Sequence, residues 1–156
     1  MLRPRIIPCL MLQNGGLVKT KKFDNPKYVG DPLNAVRIFN EKQVDELIVL
    51  DIDATVHNQD PDYDLIASLA AECRMPLCYG GGVKTVDQIN RIISLGVEKV
   101  SISSAAAYDP DLIVKASRQV GSQSIVVVMD VKKSGLFGRY DVFTHNGTNR
   151  LGRIPL

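Results

Sequence analysis

Pro76-Leu77-Cys78-Tyr79-Gly80-Gly81-Gly82-Val83-Lys84-Thr85 is the stretch on which the fold of this chain turns. A short apolar run enters three consecutive glycines, and Thr85-Val86-Asp87-Gln88 then offers the capping-box pattern of a helix start. Glycines at such a junction permit positive φ and bring bare N–H groups close to a ligand. The following helix adds partial positive charge at its N-terminus, which suits a phosphate or another anion. A tight turn is the other reading of the same three residues. Strand, loop and helix in that order form one unit, and the rest of the chain repeats it.

Met75 to Tyr79 is the third strand of five. Arg5 to Leu12 reads as the first, broken by Asn14-Gly15-Gly16 and followed by a long polar loop from Lys19 to Gly30. Asp31-Pro32 starts a helix with a capping carboxylate and a first-turn proline, and Ala35, Val36, Ile38 and Phe39 give its apolar face. Glu46 to Asp53 is the second strand, unbroken in apolar character like strands buried on both faces. A helix is expected near Asp62 to Glu72, with Leu65, Ile66 and Leu69 at helical spacing.

Beyond the glycines, Ile89, Ile92 and Ile93 supply a buried stripe before Gly96 ends the helix. Lys99 to Ser103 is the fourth strand. Asp109-Pro110 starts another helix, which Leu112, Ile113 and Ala116 continue to Gly121. Ser124 to Asp130 is the fifth strand. Tyr140 to Thr144 and the Asn146-Gly147 turn read as a small hairpin.

Strand–helix alternation predicts a parallel sheet covered by helices. It can close as a doubly wound open sheet or as part of an eightfold barrel. The open sheet usually carries its glycine-rich loop after the first strand. Here the glycines follow the third, and polar residues end nearly every strand, as on the active face of a barrel. The expected class is therefore α/β, of the (β/α)8 TIM barrel type.

Composition narrows the function classes. The chain has 156 residues, 45% apolar and 23% charged, with a net charge of +2, which is ordinary for one globular domain. No dense basic stripe interleaved with aromatics suggests nucleic acid, and Lys19-Thr20-Lys21-Lys22 reads as a solvated loop. Cys9, Cys73 and Cys78 form neither an even set nor a metal-ligand spacing, so no metal or cofactor is expected, and a reducing, cytoplasmic setting is. Ile6 to Leu12 is too short for a signal core and is interrupted by Pro8, and no run approaches a membrane span.

With Arg5-Ile6-Ile7-Pro8-Cys9-Leu10, Asp51-Ile52-Asp53-Ala54, Tyr79-Gly80-Gly81-Gly82, Glu98-Lys99-Val100-Ser101 and Gly121-Ser122-Gln123 in place, the chain resembles a known family. It is similar to the cyclase subunit of imidazole glycerol phosphate synthase, a (β/α)8 barrel of histidine biosynthesis. Such a barrel takes about 250 residues. Residues 1–156 would then be the N-terminal portion of a single barrel, with strands six to eight and a second phosphate site outside it. The coding sequence is expected to continue past Leu156, and the alternatives are a lost remainder or dimerisation over the open edges.

The resemblance implies a glutaminase partner whose ammonia passes up the barrel to a phosphorylated aminoimidazole carboxamide nucleotide. It assigns a general acid–base role to Asp130 at the end of the fifth strand. The second carboxylate of that mechanism falls at position 11, where this chain has Met11. A thioether exchanges no proton, and losing one acid or base typically costs a factor of about 10²–10⁴. Phosphate binding is implied at Gly81, Gly82, Ser103 and Ser104, with Lys19 and Asp51 engaging substrate. Arg5, Glu46 and Lys99 match a salt-bridged ammonia gate, whose fourth member would lie beyond Leu156.

Three functions remain in view. One is the histidine-pathway cyclase. Another is a paralogue that hands ammonia to an enzyme amidating a surface-polysaccharide sugar, a branch that Pro8-Cys9-Leu10-Met11-Leu12 and Gly15-Gly16-Leu17-Val18-Lys19-Thr20 resemble more closely. The third is a phosphate-binding half-barrel without chemistry.

Overall fold

A computed structural model describes residues 3–21, 24–134, 138–145 and 147–152. Lys22, Asn146, Pro155 and Leu156, on which parts of the sequence reading fall, lie outside these residues. Parallel strands β1 (Cys9–Gln13), β4 (Leu47–Asp51), β5 (Leu77–Gly80), β6 (Lys99–Ile102) and β7 (Ile125–Val127) lie side by side in chain order. Among the described residues no parallel strand reverses that order, so they show no topological switch point, and the doubly wound alternative falls away. The sheet is open within this chain, with β7 at one edge.

The other edge differs from the expected polar loop. Residues 16–30 form an antiparallel hairpin, β2 (Gly16–Lys21) and β3 (Asp24–Gly30), which extends the sheet beyond β1. Met11 pairs with Val18 and Leu12 with Leu17, and burial of Leu17 and Val18 is what holds the hairpin down. Ahead of β1 the chain is already extended, with Asp45 and Ile48 donating backbone N–H bonds to Ile6 and Pro8.

Helices α1 (Pro32–Lys42), α2 (Tyr63–Glu72), α3 (Val86–Ser94) and α5 (Asp111–Val120) make the crossovers, joined by a short α4 (Ser104–Tyr108) that the sequence reading lacks. Two of the expected start signals hold in detail: Asp31 accepts from Asn34 N, and Thr85 and Gln88 form a reciprocal box. At Asp109-Pro110 the N-cap is Pro110, with no side-chain cap bond, and Asp109 accepts from Asp111 N, while Asp62 caps α2 by accepting from Leu65 N. Register sorts the strand residues by face. Leu10, Val49, Tyr79, Val100 and Ile125 lie in one row and meet the helices, where Val36, Ile66, Leu69, Ile89, Ile92 and Ala116 complete a fully buried core. The alternate rows, Cys9-Ile48-Cys78-Lys99 and Met11-Leu50-Gly80-Ser101-Val126, line the concave face.

The fifth strand needs correction. A 3₁₀ turn at Ser122–Ser124 leads into β7, which ends at Val127, three residues before Asp130. Asp130 instead opens β8 (Asp130–Ser134), which pairs with β9 (Arg139–Thr144), and β9 with β10 (Asn149–Arg150), in a separate antiparallel sheet of order β10-β9-β8. The run Ile125 to Met129 is uniformly apolar, so nothing in it announces the break. The Arg150–Asp141 ion pair at 2.6 Å and a 2.6 Å bond from Lys132 Nζ to Gly147 O tie this sheet together.

Candidate functional site: a barrel foot and a barrel mouth

At the N-terminal ends of the strands, Glu46 is the centre of an ion cluster. Its carboxylate is only 4% exposed, yet both oxygens accept from Lys99 Nζ at 2.7 Å and Oε2 also accepts from Arg5 Nη2 at 2.7 Å. A buried carboxylate is tolerable only when paired this completely. Lys99 is partly covered while Arg5 stays half exposed, so the cluster runs from the concave face to solvent. Cys78 lies beside Lys99 in the next strand. Burial pushes its thiol up to about 12, with the Glu46 charge adding and Lys99 opposing, so it is a protonated wall residue and not a nucleophile.

At the C-terminal ends a cavity of about 280 Å³ opens between the β4, β5, β6 and β7 ends and the second sheet. The triple glycine forms its floor for two steric reasons. Gly81 and Gly82 have φ of +126° and +69°, where side chains are strained. A Cβ on Gly81 would strike the Asp51 carbonyl, one on Gly82 would sit 2.7 Å from Gln59 O, and one on Gly80 would collide with Ser101 Oγ. The helix contributes less than its position suggests. Gln88 Oε1 takes the N–H groups of Lys84 and of the N-cap Thr85 at 2.7 and 3.1 Å, and Thr85 Oγ1 takes that of Gln88 at 3.2 Å, so three donors around the start of α3 are satisfied internally.

Of the residues singled out from sequence, Asp51, Gly81, Gly82, Ser103, Ser104 and Asp130 all line this one cavity. Asp51 Oδ1 also braces its own loop, accepting from Asp53 N at 2.9 Å and Ala54 N at 3.1 Å. Burial raises the Asp51 pKa, and burial likewise raises that of Asp130, against the pull of Lys132. Asp53 cannot stand in for a missing carboxylate. It is buried against the β1–β2 turn, accepting from Gln13 Nε2 and Asn14 N.

Lys19 and Met11 stand apart from the cavity lining. Lys19 is exposed on β2 opposite Lys27. Met11 is on the concave face with Thr20 Oγ1 3.9 Å from its sulfur. Among the lining residues that sequence reasoning misses are Tyr108 on α4 and His145 after β9. Only the fold carries the second sheet over the cavity, and no spacing in the chain relates residue 145 to residue 108. Among the described residues no group of three or more His, Cys, Asp or Glu side chains could hold a metal. No described helix is long and apolar enough to cross a membrane.

Consecutive parallel strands, outer helices, and polar groups gathered at the C-terminal strand ends define the class: an α/β barrel protein with its cavity at the mouth. Within that class the chain belongs to the histidine biosynthesis protein family, whose sequence pattern matches residues 5–154. It is 58% identical over its whole length to a Pseudomonas aeruginosa protein, and 59% identical over 98% and 96% of its length to proteins of Leptospira borgpetersenii and Vibrio vulnificus. Each of these relatives is described as a "putative imidazole glycerol phosphate synthase subunit" of the HisF kind. The chain covers 62%, 60% and 58% of their respective lengths, so it spans about three fifths of the curated relatives it matches.

Proposed function

We propose that this chain is part of a cyclase-type barrel subunit that admits ammonia at its foot and holds a phosphorylated ligand at its mouth, in the cytoplasm. The observation that carries the reading is the Arg5–Glu46–Lys99 cluster, a nearly buried carboxylate held between two cations at 2.7 Å. Such a cluster is costly to bury and adds little net stability, which leaves a role in gating as its physical rationale. Behind it the concave face is lined by small and apolar groups, Cys78, Ile48, Leu50 and Val126, up to the cavity.

At the mouth, the close-packed backbone of Gly81 and Gly82 and the hydroxyls of Ser103 and Ser104 offer donors to one phosphate. Asp130 is the proton-exchanging group. It faces no carboxylate at position 11, while Asp51 is bound to its own loop and Asp53 to the β1–β2 turn. The reading is therefore an ammonia-delivering subunit with weak cyclase chemistry, such as a paralogue serving amidation of a surface-polysaccharide sugar. Full cyclase activity on an aminoimidazole carboxamide nucleotide is the second reading, favoured by the retained Asp130.

The partner is a glutaminase subunit. Co-expression and co-purification test this: a stable complex whose glutamine hydrolysis feeds an ammonia acceptor is expected. Recovery of the chain as a clean monomer beside such a subunit would contradict it.

A further inference from the structure

His145 sits in the left-handed region, with φ +53°, at the turn between β9 and β10 of the second sheet. Thr148 closes that turn, its Oγ1 donating to His145 O at 2.6 Å and its N–H to Thr144 O at 3.2 Å. His145 lines the mouth cavity together with Ser104, Ala105 and Tyr108 of α4. Asp130, at the start of β8, lines the same cavity.

A hydrogen-bonded chain fixes how the ring is presented. Asn149 Nδ2 donates to Tyr108 Oη at 3.1 Å, which leaves the phenol proton for Thr144 Oγ1, also at 3.1 Å. The Thr144 hydroxyl proton then goes to His145 Nδ1 at 3.1 Å. An NH₂ group can only donate, and this is the polarity in which both hydroxyl protons are used within the chain. A neutral imidazole that accepts at Nδ1 carries its proton on Nε2. The Tyr108 ring meets His145 edge-on with centroids 6.4 Å apart and limits its rotation.

We propose that His145 is a ligand-contacting residue of the mouth cavity, with its Nε2–H, aimed by the Asn149–Tyr108–Thr144 chain, donating to an oxyanion of the bound phosphorylated ligand. The proposal rests on the phosphate reading above and adds to it a side-chain donor from the second sheet. Asn149, Tyr108 and Thr144 act through His145 and are positioning residues. The proton stays on Nε2 in this contact.

The test uses the two histidines of the chain, His57 and His145, as resolved ring signals in a ¹⁵N-labelled sample, with inorganic phosphate as the probe. In free protein His145 is expected as the Nε2–H tautomer. Phosphate should shift its ring nitrogens together with the Gly82 amide while His57 stays still. His145→Asn tolerates the left-handed backbone and keeps a group near Thr144 but removes Nε2, so phosphate should bind about tenfold more weakly. His145→Gln, which reaches as far as Nε2, should recover part of that loss. Tyr108→Phe should release the tautomer without unfolding the chain.

Phosphate that moves the Gly81 and Gly82 amides but not His145, or binds His145→Asn as tightly as the native chain, overturns this inference and leaves the phosphate reading standing. Phosphate that moves none of them overturns both. An Nδ1–H tautomer in the free protein overturns the hydrogen-bonded chain.

Discussion

The foot and the mouth of this sheet carry comparable polar residues and use them in opposite ways. At the foot, Glu46, Lys99 and Arg5 bind one another, and the most buried member has the most partners. At the mouth, Asp51, Asp53, Lys84 and Gln88 hold loops in shape, and a cavity of about 280 Å³ remains among them. A closed ion cluster can act only by opening. A cavity with a braced rim can act by being filled. The same fold thus offers an entrance at one end and a binding site at the other, and substitutions should separate the two.

The largest effect is expected at the foot. Lys99→Met leaves the Glu46 carboxylate buried with only the half-exposed Arg5, and should lower unfolding free energy by about 3 kcal/mol in denaturant titration. A loss no greater than that of an exposed ion pair would mean the cluster is solvated and not a closed gate. Gly81→Ala comes next. Positive φ and the Asp51 carbonyl both oppose a Cβ, so about 2 kcal/mol should be lost, together with phosphate affinity. If affinity falls while stability holds, the glycine serves the ligand more than the fold.

Asp130→Asn should act in the reverse direction and depend on pH. Burial raises the Asp130 pKa in the folded state, so the folded chain holds this proton more tightly than the unfolded one. The unfavourable contribution is absent below the ordinary carboxylate value, grows as pH climbs to the raised folded value, and is constant above it. The variant should therefore melt above the native chain near neutral pH, with the difference vanishing in acid. A variant less stable at neutral pH would show the carboxylate to be held by a favourable partner. Arg5→Ala should be the mildest, under about 1 kcal/mol, because that guanidinium is half exposed.

The two ends were also unequally legible in the sequence. The parallel strands and their crossover helices announce themselves through unbroken apolar runs and helix caps, since burial on both faces leaves no polar interruption. The hairpin of residues 16–30 does not. All of β3 but Gly30 is exposed, Asp24-Asn25-Pro26-Lys27 reads as a turn, and its ladder is supplied by neighbours that the local sequence cannot name. The break at Val127 is hidden for the opposite reason, because Ile125 to Met129 is apolar throughout although Val127 and Met129 are exposed.

In the site, Asp51, Gly81, Gly82, Ser103, Ser104 and Asp130 could be singled out because each falls at or just beyond the end of a strand-like run. Tyr108 and His145 could not, since a five-residue helix and a second sheet bring them together from 37 residues apart.

Ammonia-dependent turnover of the phosphorylated aminoimidazole carboxamide nucleotide, compared between the native protein and Met11→Asp, bears most directly on the central claim. Little turnover is predicted for the native protein, with a rise of about 10² or more when a carboxylate stands at position 11. Native turnover at the rate of an enzyme with both carboxylates would contradict it.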